Sequence, residues 1–339
     1  MKKRVLGIDI IKVLAIYLVF CIHYLSSNNF YAMPLNNIGA FIYNTLRYFI
    51  LLAVPLFLMV TGYLQCKKEI TKEYYMKLIN ILIVYLLACV TIIIFRHFYY
   101  GENMSIITAI LSITNFSVTG YSWYINMFIG LYLIIPFLNI ILNKINKKEY
   151  YVLVIVLLLC ISLPYTLNSL SRLFVPFNVL PNWWGHTYPL IFYIIGAGIK
   201  LNFIQLKKKQ CLILGTISLI AMNILSYIGY MKGKDLWFLN NNENLFSIIL
   251  CCVVFIMLKD IDIKNTIIRK IIIVVSPLTL YMLLYSSVID KMVYGLDIFK
   301  DEFFINVGGY LLVAPMLVLV ISAIAGYVSS LVVKRIEIK

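Results

Sequence analysis

Three ionisable side chains share the first apolar stretch of the chain, IDIIKVLAIYLVFCIHYL: Asp9, Lys12 and His23. Lys12 and His23 are 11 positions apart, which on an α-helix is about 20° around the axis and about 16 Å along it. Asp9 falls on nearly the same stripe, because side chains three positions apart are neighbours on a helix. An ionisable group in hydrocarbon costs about 3 kcal/mol, so the stripe predicts a ligand site or a pathway.

Each of these side chains has a chemical interpretation and a plainer one. A neutral imidazole can accept a proton from a hydroxyl, so His23 is a candidate general base; alternatively it hydrogen-bonds between helices. Lys12 can bind a phosphate as a point charge, or it pairs with Asp9 or reaches the membrane interface.

The second apolar stretch begins with Arg47, at about the depth of His23. A guanidinium suits an anionic ligand or a developing oxyanion, although Arg47 could also extend to the interface. Pro55 is expected to interrupt this helix and free a backbone carbonyl. Thr61 and Gly62 follow, and close helix packing is their simplest role.

Aromatic and amide side chains crowd the segments between apolar stretches. Aromatic faces beside amides would bind a sugar, whereas an aromatic belt at the membrane interface is the alternative. His97 and His186 lie at ends of apolar stretches and are expected to be solvated. The candidate acceptor-binding residues are Trp123, Tyr124 and Asn126 in TGYSWYIN, with Trp183, Trp184 and His186 in VLPNWWGHTYP.

The composition identifies the elements that must position these residues. Of the 339 residues 63% are apolar and 13% charged, against about half and a quarter in soluble domains. We therefore predict an all-α, polytopic membrane bundle forming a single domain over residues 1–339. About 20 apolar residues span a bilayer, which gives ten candidate spans: Ile8–Tyr24, Phe41–Leu64, Leu78–Phe95, Trp123–Leu142, Val152–Leu167, Thr187–Ile199, Cys211–Tyr230, Leu245–Leu258, Ile271–Ile289 and Phe303–Val333.

The net charge of +15 follows the same alternation. Lys and Arg concentrate at both termini and in every even-numbered loop, which predicts cytosolic termini. A nucleic-acid partner is therefore not expected, and the bilayer accounts for the basic residues. The seven cysteines show no metal or disulfide spacing, so neither a metal site nor a disulfide framework is expected.

Four motifs in chain order carry a family resemblance. They are Lys12, ten residues, then His23; LRYFILLAVPLFLMVTGYL, with Arg47, Pro55, Phe57, Thr61, Gly62 and Tyr63; SWYINMFIGLYLIIPFL, with Trp123, Tyr124, Tyr132 and Pro136; and FYIIGAGI, with Tyr193 and Gly196. With the ten spans, the chain resembles the acyltransferase-3 family of membrane acyltransferases over nearly its whole length.

The resemblance implies transfer of an acyl group, usually acetyl, from cytosolic acyl-CoA to a hydroxyl of a surface glycan or its lipid-linked precursor. Lys12 with Asp9 would bind the donor, His23 would act as base and Arg47 would stabilise the oxyanion. No tightly bound cofactor is implied. The implied partners are the bilayer, acyl-CoA, a surface glycan or lipid-linked sugar and glycan-synthesis proteins, in the cytoplasmic membrane of a bacterium.

Two departures from the family pattern keep other functions open. Lys12 stands where Arg is commoner, and a late-span histidine is replaced by Tyr285 or Ser286. The main alternative is an exporter of a surface polysaccharide, and another is a partner of a glycan synthase.

Overall fold

The computed structural model describes residues 4–175, 177–234, 239, 241–299 and 303–336, with the side chains of 303–309 and 336 excepted. These residues form helices and no strand, which confirms the predicted all-α class. They fall into two compact units, Met1–Lys67 with Ile140–Ile273, and Lys68–Asn139 with Val274–Lys339. The prediction of a single domain stays a prediction.

Unit 1 contains the first three helices and most of the middle of the chain. Its helices are α1 (Leu6–Ser27), α2 (Ile38–Ile50), α3 (Ala53–Gln65), α7 (Lys147–Leu157), α8 (Leu163–Ser171), α9 (Tyr188–Lys200), α10 (Lys208–Met231) and α11 (Leu245–Leu258). The pairs α3 with α9, α10 with α11 and α1 with α3 make its main packing contacts.

Unit 2 contains the remaining long helices. They are α4 (Lys72–Tyr100), α5 (Ile106–Thr114), α6 (Trp123–Lys144), α13 (Thr279–Tyr294) and α14 (Phe303–Ile336), while α12 (Thr266–Val275) and the end of α6 cross the unit boundaries. Here α13 packs along α14 and also contacts α4.

Eight helical segments of the described chain are long and apolar enough to cross a membrane. They are Leu6–Ser27, Ile38–Gln65, Lys72–Tyr100, Trp123–Lys144, Lys147–Ser171, Lys208–Met231, Thr266–Tyr294 and Tyr310–Arg335. The predicted sixth and eighth spans are the shorter helices α9 and α11, of 13 and 14 residues. The chain is thus a multi-pass membrane protein, while the number of ten spans and the cytosolic termini stay predictions.

Prolines account for the breaks within these segments. Pro55 has no N–H to donate to the carbonyl four residues earlier, and α2 ends at Ile50 before α3 begins at Ala53. A π-turn precedes Pro164, and a 3-10 turn containing Pro277 separates α12 from α13. The interruption predicted at Pro55 is therefore confirmed.

Two backbone carbonyls that lack a helical donor because a proline follows four residues later are bound by side chains. Pro136 cannot donate to the Tyr132 carbonyl, which instead accepts from the Tyr74 hydroxyl at 2.8 Å. Pro277 cannot donate to the Ile273 carbonyl, which accepts from Arg4 Nη2 at 2.9 Å. Such side-chain donors satisfy backbone groups that a proline leaves without a helical partner in a membrane helix.

Candidate functional site

Helix α1 carries the predicted stripe without interruption. It is α-helical from Leu6 to Ser27, so Asp9, Lys12 and His23 share one side of one helix, as the spacing predicted. Asp9 is buried at 5% exposure, while Lys12 and His23 are half-buried. Within unit 1 the helix packs against α2, α3 and α11.

The carboxylate of Asp9 is held by Arg4, just before the helix begins. Arg4 Nε lies 2.5 Å from Asp9 Oδ2, and Nη2 lies 3.1 Å from Oδ1. Two parallel hydrogen bonds from one guanidinium are the strongest form of this pair. Because Arg4 also binds the Ile273 carbonyl, it ties the start of α1 to α12.

Arg47 lies inside unit 1 and is fully buried, at 0% exposure. Its guanidinium carbon is 4.7 Å from the ring centroid of Tyr48 and 5.9 Å from that of Tyr31. Aromatic faces stabilise a desolvated cation in this geometry. The burial excludes the alternative in which Arg47 extends to the membrane interface.

A hydrogen-bond network joins α2 to α10 beside Arg47, and the sequence analysis missed it. Asn44 Nδ2 donates to Asn223 Oδ1 at 3.0 Å, and the Tyr48 hydroxyl donates to the Met222 carbonyl at 2.9 Å. Asn44 and Tyr48 stand three before and one after Arg47 and share its buried side. An Asn one turn from an intramembrane Arg was the sequence signal that could have revealed it.

The six candidate acceptor residues are divided between the units. Trp123, Tyr124 and Asn126 begin α6 in unit 2, whereas Trp183, Trp184 and His186 precede α9 in unit 1. Trp183 is 88% exposed and Trp123 is 47% exposed. Asn126 and His186 are also exposed, but Tyr124 is buried. Exposed rings at helix ends are compatible with a sugar and with an interfacial belt, so these assignments stay predictions.

A second buried carboxyl, missed in the sequence, lies in the loop before α11. Glu243 is only 8% exposed, and this burial raises its pKa, while a backbone N–H and the nearby His186 oppose the shift. Tyr165 and Tyr188 are the other titratable groups that interact with it. Among the described residues no group of three His, Cys, Asp or Glu side chains is placed to hold a metal.

The two residues that stand in place of the late-span histidine each make a hydrogen bond within unit 2. The Ser286 hydroxyl donates to the Leu283 carbonyl at 2.9 Å, and the Tyr285 hydroxyl donates to Ser329 Oγ at 3.1 Å. Both lie on α13, and neither offers an imidazole. A histidine that acts as general base must therefore come from another part of the chain.

Helices long and apolar enough to cross a membrane, with ionisable groups buried among them, define an integral membrane protein. The model of the acyltransferase-3 family, described as an acyltransferase domain, matches residues 5–335. The chain belongs to this family and is a membrane acyltransferase. No curated protein and no solved structure matches it.

Proposed function

We propose that this acyltransferase moves an acetyl group from cytosolic acetyl-CoA to a hydroxyl of a cell-surface glycan or of its lipid-linked precursor, in the cytoplasmic membrane of a bacterium. The observation that carries the proposal is the unbroken helix α1, which places Lys12 and His23 about 16 Å apart on one side. A donor with a long polar arm needs such a separation between its phosphates and its thioester.

The reaction assigns one step to each residue. Lys12 binds a phosphate of acyl-CoA, and Asp9 fixes the start of the helix that carries it. His23 takes the proton from the acceptor hydroxyl as its oxygen attacks the thioester carbonyl. Arg47 stabilises the negative charge on the carbonyl oxygen of the tetrahedral intermediate. The C–S bond then breaks, and CoA leaves as a thiolate that regains a proton.

A buried guanidinium between aromatic rings supports the role of Arg47. Its burial removes competing water, and a charge in a dry site stabilises an oxyanion more than one in water does. Acyl-CoA is a substrate in this scheme, not a resident cofactor. Glycan-synthesis proteins would supply the acceptor.

The test is the ester-linked acetyl content of surface glycans, measured by NMR before and after mild alkali. We expect deletion of the gene to abolish it and the wild type to restore it. His23→Ala, expressed at equal level in the membrane, should lower the transfer rate about 100-fold or more, as loss of a general base does. His97→Ala is the matched control, because this exposed histidine lies at the end of α4 and its ring Nδ1 contacts a loop carbonyl, Glu102 O, at 3.2 Å.

The opposite result would assign another function. If ester content is equal in all strains while the deleted strain exports glycan more slowly, the protein is an exporter. If deletion changes the ester content but His23→Ala does not, the chemistry proposed for His23 is wrong.

A further inference from the structure

Helix α13 contains a buried carboxylate to which the proposed reaction gives no role. Asp290 is 3% exposed and lies four residues before the end of the helix at Tyr294. It lies one residue beyond the predicted ninth span, Ile271–Ile289, but the helix that contains it belongs to a segment long and apolar enough to cross a membrane, Thr266–Tyr294. Burial in a membrane helix disfavours a carboxylate, and so does the negative end of the helix dipole. A position that is costly on both counts indicates a role beyond packing.

Tyr121 is the hydrogen-bond donor to this carboxylate. Its hydroxyl lies 2.8 Å from Asp290 Oδ2, and both residues belong to unit 2. Burial raises the pKa of Tyr121, and the charge of Asp290 raises it further, so the phenol keeps its proton and donates. A hydrogen bond to a charged acceptor is stronger than one between neutral groups.

Tyr121 fixes the turn that opens α6. Its carbonyl accepts from the Tyr124 backbone N–H at 3.2 Å, and its own N–H donates to Thr119 Oγ1 at 3.2 Å. Ser122, the next residue, is completely buried. The position of Tyr121 therefore determines how the first turn of α6 is directed.

Exposed side chains follow immediately on that turn. Trp123 is 47% exposed, and Asn126, three residues later on the same side of the helix, is exposed as well. An indole face and an amide side by side on one side of a helix suit a sugar, since the sugar ring packs on the indole and the sugar hydroxyls hydrogen-bond to the amide. Asp290 is linked to the start of this helix through Tyr121 and is not itself exposed.

We propose that Asp290 is a positioning residue for the acyl acceptor, which holds Tyr121 so that Trp123 and Asn126 bind a sugar ring. This inference rests on the proposed function, because it takes the acceptor to be a carbohydrate.

The experiment separates the acceptor from the donor. The variants are Asp290→Asn, Tyr121→Phe and the two combined. The matched control is Tyr75→Phe, which also removes one tyrosine hydroxyl bond of unit 2, the contact with the Leu133 carbonyl at 3.3 Å. Binding of radiolabelled acetyl-CoA to the purified protein measures the donor, and ester-linked acetyl on surface glycans measures transfer to the acceptor.

We expect Asp290→Asn and Tyr121→Phe each to lower transfer about tenfold, with acetyl-CoA affinity within twofold of the wild type. The double variant should lose no more than the worse single variant, because the two residues act through one bond. Tyr75→Phe should match the wild type. Asparagine keeps an oxygen that accepts from Tyr121 but loses the charge, and the weaker hydrogen bond is the reason for the loss expected in Asp290→Asn.

Three results would overturn the inference. Transfer unchanged in Asp290→Asn and Tyr121→Phe means that the pair only ties a loop to a helix. A parallel loss of acetyl-CoA affinity means that the pair serves the fold or the donor. If the wild type neither binds acetyl-CoA nor esterifies glycans, the proposed function itself fails, and the acceptor role fails with it. Should Asp290→Asn not accumulate, Tyr121→Phe alone decides between these results.

Discussion

The contact between α3 and α9 gives the sharpest prediction about the fold. Gly62 and Gly196 face each other's helices so closely that no side chain fits between the backbones. A Cβ at Gly62 would lie 2.0 Å from the Tyr193 carbonyl oxygen, and a Cβ at Gly196 would lie 2.1 Å from the Met59 carbonyl oxygen. Small residues are what allow membrane helices to approach to this distance.

The size of the effect follows from these distances. Ordinary contact for a Cβ begins at 3.4 Å, so Gly196→Ala needs about 1.3 Å more space, and backbone atoms on both sides cannot rotate away. Overpacking costs typically 1–3 kcal/mol and occasionally more. We expect Gly62→Ala and Gly196→Ala each to lose about 3 kcal/mol, because an entire helix must move.

Two other helical glycines are matched controls. A Cβ at Gly130 meets nothing within 4 Å, and one at Gly215 meets Val253 at an ordinary 3.4 Å. Alanine is favoured over glycine in a helix by about 1 kcal/mol, so these variants should be neutral or stabilising. Thermal unfolding in detergent, followed by size-exclusion chromatography, measures all four. Equal melting temperatures for Gly196→Ala and Gly130→Ala would refute the reasoning.

Three further predictions concern single residues, and the stability of each variant is measured by thermal unfolding in detergent. Arg4→Ala leaves Asp9 buried without this ion pair; because the Arg4 side chain is 48% exposed, we expect a loss of about 2 kcal/mol, between exposed and buried pairs. Tyr74→Phe leaves the Tyr132 carbonyl without its hydroxyl donor and should cost about 1–2 kcal/mol; an unchanged melting temperature in either variant would contradict its prediction. The raised pKa of Glu243 stabilises the fold below about pH 4 and loses this effect as pH rises through the raised value. Glu243→Gln should therefore become more stable relative to the wild type as pH rises toward neutrality. The difference in unfolding free energy should grow by about 1.4 kcal/mol for each pH unit between the unfolded and the raised folded pKa of Glu243. A difference that stays constant across pH would contradict the sign.

Hydropathy predicted where the helices lie better than where they end. Each of the ten predicted spans coincides with a helix or a pair of helices, because an apolar run must satisfy its backbone internally. The predicted ninth span ends at Ile289, just before Asp290, yet α13 continues to Tyr294. A helix requires only backbone hydrogen bonds, so a charged side chain does not end it where a tertiary partner such as Tyr121 donates a hydrogen bond to that side chain.

Spacing predicted the site along one helix but not between helices. The shared side of Lys12 and His23 follows from helical geometry alone, and the structure has that helix. The residues of α10 that bind Asn44 and Tyr48, beside Arg47, are more than 170 positions away in the sequence, and no local pattern identifies those partners. The family motifs did identify residues of a contact between helices. Gly62 and Gly196 come from two different motifs, and both lie where α3 and α9 pack together.

The pairing of Asp9 with Arg4 shows how a proline can decide the role of a residue far from it. The stripe on α1 predicts Lys12 as a partner of Asp9, and the structure adds Arg4, which precedes the helix. Pro277 leaves the Ile273 carbonyl without a helical donor, and Arg4 binds that oxygen and the carboxylate together. The guanidinium thereby joins the start of α1 to α12, so Asp9 holds the helix in place. In the proposed reaction Lys12 therefore binds the donor directly, and Asp9 contributes only through the helix that it anchors.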